Sequence, residues 1–149
     1  MAKRRPAIIG PHLIWTLYGH WLANDPRGSG SEELREEKFE ELGPIHHGRK
    51  PEPLQPSKQE LREYYREANP LLNHAKIWLN EGTRKALSNA VRQVVAKQNY
   101  TVWACAILSN HMHMVIRRHR DDALTMWHKF AEATRLRLRE EASLAPDHP

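Results

Sequence analysis

The chain has 149 residues, 40% of them hydrophobic and 28% charged, with five tryptophans and a formal net charge of +5. That length suits one domain with a buried core, and the composition is that of a soluble globular protein. No apolar run approaches the roughly 18 residues of a membrane helix, so no membrane association is expected.

Residues 7–18, "AIIGPHLIWTLY", have the β-branched and aromatic content of a strand, with Pro11 marking an edge or bulge near its start. The basic N-terminus ahead of them is broken by Gly10 and Pro11 and lacks a small-residue cleavage site, which argues against a signal peptide. Residues 19–31 have loop chemistry, Asn-Asp-Pro followed by Arg-Gly-Ser-Gly. "SEELREEKFEEL" (31–42) predicts a surface helix, with Ser31 at its start, a thin stripe of Leu34, Phe39 and Leu42, and a stop at Gly43. The proline-bearing stretch 43–56 reads as an irregular connector. Ser57 and Glu60 form a capping box for a helix over 58–68. Residues 70–80 read as a turn or a brief strand.

Thr83 then caps a predicted amphipathic helix over 84–98, with Ala86, Leu87, Ala90, Val91, Val94 and Val95 at helical spacing. "YTVWACAIL" (100–108) reads as a buried strand. Its Cys105, the only cysteine, excludes an internal disulfide, fits a reducing cytoplasm, and is most simply a small core residue. A tight turn at Ser109 and Asn110 leads into a second strand, 111–118. Asp121 and Asp122 open a last helix reaching Leu144, with Trp127, Phe130, Ala131, Thr134 and Leu138 on one face. With 19–82 set aside as an insertion, the order is strand, helix, strand, strand, helix. That is most of a ferredoxin-like β-α-β-β-α-β unit, an α+β antiparallel sheet lacking its last strand.

Residues two apart on a strand face the same way. His111 and His113 therefore point together with Val115, while Met112, Met114 and Ile116 line the other face. Two explanations compete, a pair of hydrogen-bonded packing histidines and a pair of metal ligands. The other eight histidines form no such pattern: His46 and His47 lie in the proline-rich loop, and His12, His20, His74, His119, His128 and His148 stand singly, read as structural or exposed. Arg117, Arg118 and Arg120 follow the pair, and Arg135, Arg137 and Arg139 lie on the last helix. These are either a solvated face or a polyanion footprint, and clustering beside the histidines favours the footprint.

"YTVWACAILSNHMHMVIRRHRDD" (100–122) resembles the strand-turn-strand core of the HUH single-tyrosine transposases, especially the REP-associated, IS200-like branch. "WTLYGHWLANDPRGS" (15–29) is similar to the segment after the first strand in some of those proteins, and the likeness extends through "ELGPIHHGRK", 57–79 and the helix 84–98. The resemblance implies one HUH endonuclease domain over 1–149, with helices on one face of its sheet and the C-terminal part of the family domain absent. It implies Mg²⁺ or Mn²⁺ held by His111 and His113; a hard cation also takes oxygen ligands, so a carboxylate or an amide should join them, with Asp25 and Glu132 as candidates. The cation would polarise the scissile phosphate of single-stranded or hairpin DNA for attack by a tyrosine. It further implies a monomer or homodimer associated with the nucleoid. Arg117, Arg118, Arg120 and Lys129 become candidates for phosphates, and Arg27 and Trp21 for bases or backbone. Against these stand a loop indole tucked onto the core at Trp21, and solvated helix pairs such as Arg137–Glu141.

The nucleophile departs from the family pattern. The tyrosines are Tyr18, Tyr64, Tyr65 and Tyr100, and none follows the histidine pair. Three expectations follow: a single-stranded DNA endonuclease and strand transferase whose tyrosine lies beyond Pro149, a non-catalytic nucleic-acid-binding protein on the same fold, or, least favoured, a nucleophile at Tyr64 or Tyr65. A separate class is a structural zinc site on a protein-interaction domain.

Overall fold

A computed structural model of the chain describes residues 7–142, 144, 147 and 148. The basic stretch 1–6 and most of the tail after Ala142 lie outside them. The protein is α+β and divides into two compact units, one made of Met1–Thr16 with Trp78–Pro149 and the other of Leu17–Ile77. The segment expected as an insertion, 19–82, thus overlaps a unit with its own interior.

The first unit holds a three-stranded antiparallel sheet of β1 (His12–Thr16), β2 (Val102–Ile107) and β3 (His111–Ile116), in the order β1-β3-β2. Helices α2 (Glu81–Gln98) and α3 (Ala123–Ala142) pack on each other and cover one sheet face. β3 is the central strand, and its alternation is complete: Met112, Met114 and Ile116 are fully buried, while His111, His113 and Val115 are half-exposed. Leu13 and Trp15 of β1 stand opposite Met114 and Met112 and are buried with them. Phe130 of α3, also fully buried, lies against the Trp15 ring at 6.2 Å between centroids.

One strand reading needs correction. β2 is not buried; Trp103, Ala104, Cys105 and Ala106 are exposed, and Cys105 is no core residue. β2 is one of the two edges of the sheet, and the groove between it and α2 is open, lined by Val91, Val95, Val102, Cys105 and Ile107. Of the two forms expected for residues 70–80 the turn is the one found, at the tail of the 3-10 turn Asn69–Leu71, and no strand forms there.

Helix ends follow local hydrogen bonds. α2 begins three residues before Arg84, because the Asn80 side chain accepts from the Thr83 amide at 2.9 Å and draws Glu81–Thr83 into the first turn. It stops at Asn99, whose φ of 55° suits a residue tolerant of the left-handed region. α3 starts after Asp122, whose Oδ1 accepts from Thr125 N at 2.7 Å. In the second unit α1 (Lys58–Ala68) carries the expected reciprocal capping box of Ser57 and Glu60. The helix expected over 31–42 is realised only as a 3-10 turn, Glu37–Leu42, with Phe39 as its single buried side chain. Six glutamates between 32 and 41, with one inward aromatic, supply too little apolar face to hold a full α-helix.

Asp121, expected as a helix opener, instead joins a charged knot. It accepts from Tyr100 Oη at 2.5 Å and Lys129 Nζ at 2.8 Å, with His119 Nδ1 at 3.7 Å. The Lys129 bond, then the Tyr100 bond, pull its carboxyl down to about 2. A carboxyl whose folded pKa is depressed stabilises above its unfolded pKa, near 4, and loses that contribution as pH falls toward 2. Thermal melts between pH 5 and pH 2 should therefore show a fall in Tm that Asp121→Asn flattens. In urea unfolding, Met114→Ala should cost about 2–5 kcal/mol, whereas Val115→Ala on the open face should cost much less.

Candidate functional site

The open face of β3 collects the imidazoles. A two-residue turn, closed by Leu108 N donating to His111 O at 2.9 Å, delivers His111 directly into the strand. His111 and His113 share the face uncovered by the helices, their ring centroids 4.9 Å apart and nearly perpendicular. Across the strand boundary lies His12 of β1, one of the histidines expected to stand alone. It is paired in register with Val115, so it reaches diagonally to His113. Its Nε2 is 3.0 Å from His113 Nδ1, and the two rings stack at 5.2 Å. A β1–β3 pairing, as the ferredoxin-like order requires, was the signal that could have found it.

Both members of the pair have the same nitrogen engaged. His111 Nδ1 lies 2.6 Å from Asn110 Oδ1. An amide oxygen only accepts, so Nδ1 carries a proton, and in the neutral ring that tautomer leaves the lone pair on Nε2. His113 Nδ1 is held by His12, and neither Nε2 makes a hydrogen bond among the described residues. Desolvation first, and then its histidine neighbours, push the His113 pKa below its ordinary value, which favours the neutral, ligating form.

This donor set fits a divalent cation in part. Neutral imidazoles suit Mn²⁺ better than Mg²⁺, which prefers oxygen. No set of three His, Cys, Asp or Glu side chains among the described residues is arranged around one cation position. The two expected third ligands do not supply it. Asp25, 1% exposed, has both oxygens taken by Arg27, at 2.8 and 2.7 Å, and by Tyr65 Oη at 2.5 Å. Glu132 is exposed on α3. A cation on His111 and His113 would have to complete its shell with water or phosphate oxygens, as phosphate-handling sites commonly do.

The cations expected to meet nucleic acid fall into two groups. Arg117, Arg118 and Arg120 are exposed just past β3 and form no ion pair among the described residues. Lys129 is committed to Asp121 and Gln98, both at 2.8 Å, and Arg137 pairs with Glu140 at 3.3 Å and Glu141 at 3.9 Å. In the second unit Arg27 is clamped on Asp25 and stacked 3.7 Å from the Trp21 ring centre. Trp21 donates its indole N–H to Gly28 O at 2.9 Å yet stays 40% exposed. The loop is tight there: Gly28 has φ +89°, and a Cβ would fall 2.0 Å from Gly48 O.

The four tyrosine hydroxyls are all engaged. Tyr18 accepts from Asn73 N at 3.1 Å, Tyr64 donates to Asn24 Oδ1 at 2.7 Å, Tyr65 to Asp25, and Tyr100 to Asp121. Burial, reinforced by Asp25, raises the pKa of Tyr64 and Tyr65 far above the ordinary phenol value. Both are framework residues, as adjacent helix aromatics usually are, and poor nucleophiles.

Tyr65→Phe removes a donor from a buried carboxylate, so it should destabilise the second unit by about 1–3 kcal/mol. Amide exchange should accelerate across 17–77 in that variant. Comparison with protein-family models, curated proteins and solved structures finds no match to this chain.

Proposed function

We propose that this protein binds single-stranded or hairpin DNA through a divalent cation on an HUH-type, ferredoxin-like sheet. One observation carries the reading: His111 and His113 lie together on the open face of the central strand, each with Nδ1 engaged and Nε2 open. The β1-β3-β2 order is the one a β-α-β-β-α-β unit gives its first three strands, which supports the fold assignment. Arg117, Arg118 and Arg120, exposed at the end of the same strand, supply the sequence-independent attraction for a phosphate backbone.

A cation at the two Nε2 atoms would offset charge on a non-bridging phosphate oxygen. The protein's own part is to hold two neutral imidazoles in fixed orientation and to seat neighbouring phosphates on the arginines. Within the second unit, considered by itself, the exposed part of the Trp21 ring is a stacking surface for an unpaired base. None of the four phenols of this chain is given a nucleophile's role in the reading, because each is tied to a structural partner. The tyrosine-transposase activity is the competing reading.

Titration of a labelled hairpin with a single-stranded extension tests both. With Mn²⁺ present the hairpin should bind, and chelation should weaken it. His111→Ala and His113→Ala should abolish the cation-dependent part only. Replacing Arg117, Arg118 and Arg120 by Ala should flatten the salt dependence, by up to about 0.7–0.9 in log–log slope for each arginine removed. A denaturant-stable protein–DNA adduct would move the protein to the nicking class. Failure to bind DNA or Mn²⁺, with tight binding of zinc, would replace the reading by a structural metal site.

A further inference from the structure

His12 contributes nothing to the core. Its side chain lies on the open face of the edge strand β1, opposite to the buried Leu13. Yet its ring is not loose: it stacks within 22° of the His113 plane and aims Nε2 at His113 Nδ1 from 3.0 Å. Asn110, a different residue on a different element, does the same to His111 from 2.6 Å. Both contacts are made to the δ nitrogen, and both leave the ε nitrogen open on the same face.

Which ring nitrogen of a neutral histidine binds metal is set by the partner of the other nitrogen. For His111 the partner is an amide oxygen and the outcome is fixed. For His113 the outcome depends on His12, because an imidazole nitrogen can either accept or donate. If His12 Nε2 accepts, His113 carries its proton on Nδ1 and presents a bare Nε2. If His12 donates, His113 is protonated on Nε2 and cannot bind there.

We propose that His12 is the positioning residue of the pair: it accepts the Nδ1 proton of His113, fixing the tautomer and ring orientation that leave His113 Nε2 bare beside His111 Nε2. This rests on the cation-binding reading above and adds a residue to it. With Nε2 accepting, a neutral His12 carries its own proton on Nδ1. It touches neither cation nor phosphate.

Two substitutions separate positioning from packing and from ligation. His12→Gln keeps an acceptor oxygen on a side chain of similar reach; His12→Leu keeps bulk and removes the acceptor. In metal-free protein at alkaline pH, ¹⁵N spectra of the imidazoles should show bare Nε2 on both His111 and His113 in the wild type and in His12→Gln. In His12→Leu the His113 signals should move toward an Nε2–H form while His111 stays unchanged. Mn²⁺ affinity should fall on the order of 10–100-fold in His12→Leu and be largely restored in His12→Gln. Tm should not separate the two variants.

An unchanged His113 tautomer in His12→Leu, with unchanged Mn²⁺ affinity, overturns the role of His12 alone. A Gln variant as weak in Mn²⁺ as the Leu variant makes His12 a ligand and overturns positioning. Wild-type protein that binds no Mn²⁺ overturns the cation reading itself, and the tautomer spectra then show separately whether the His12 contact orders His113.

Discussion

β3 is where the two halves of the molecule's chemistry meet. Three of its six side chains, Met112, Met114 and Ile116, are fully withdrawn from water, and the other three look outward. Strand geometry makes these sets inseparable, since consecutive residues must leave on opposite faces. The hydrophobic demand for three inward groups therefore fixes where the two imidazoles go. β1 and β2 pair on either side of it, and α2 and α3 cover the methionine face. The core is the reason the histidines are rigid, and rigidity is what a ligand set of only two side chains needs most.

The second unit is organised differently. Its interior mixes apolar side chains with a polar network: Asp25 and Asn24 are buried, and the Arg27 fork, the Tyr64 and Tyr65 hydroxyls and the Phe39 and Gly43 carbonyls satisfy them. A buried charge is tolerable only when its lone pairs are filled, and here each carboxylate oxygen has a donor. Such a network fixes the shape of a loop-rich segment in which few large apolar side chains are fully buried. It also shows why the acidic and aromatic residues of 20–65 should be read as framework before any catalytic role is considered.

Local signals were legible and long-range ones were not. The alternation in "HMHMVI" placed six side chains correctly, and the Ser57–Glu60 spacing identified a real capping box. Those patterns depend on neighbours two to four residues away. The exposure of β2 depends on which strand becomes the edge, so an apolar run of "VWACAIL" reads the same whether covered or bare. Asn80 and Thr83 both have cap chemistry, and the earlier of the two starts α2 because its side chain reaches the Thr83 amide. His12 and the Asp25–Tyr65 bond join residues 101 and 40 positions apart, where no spacing rule applies. The resemblance that pointed to the histidine pair drew on their local context, and the residue beside them had to come from the sheet.

The two-residue link Ser109–Asn110 constrains how this sequence can change over time. It sets the phase of β3 against β2, and Asn110 also fixes the proton on His111. Losing or gaining one residue there would exchange the faces, drawing imidazoles into the hydrocarbon interior and pushing methionines into water. Substitutions on the open face leave the core intact, so the surface chemistry of this sheet can drift residue by residue. Its length between Ile107 and His111 cannot. Among descendants of this chain, variation at that link should be confined to exchanges of side chain, with insertions and deletions displaced to the loops of 19–56.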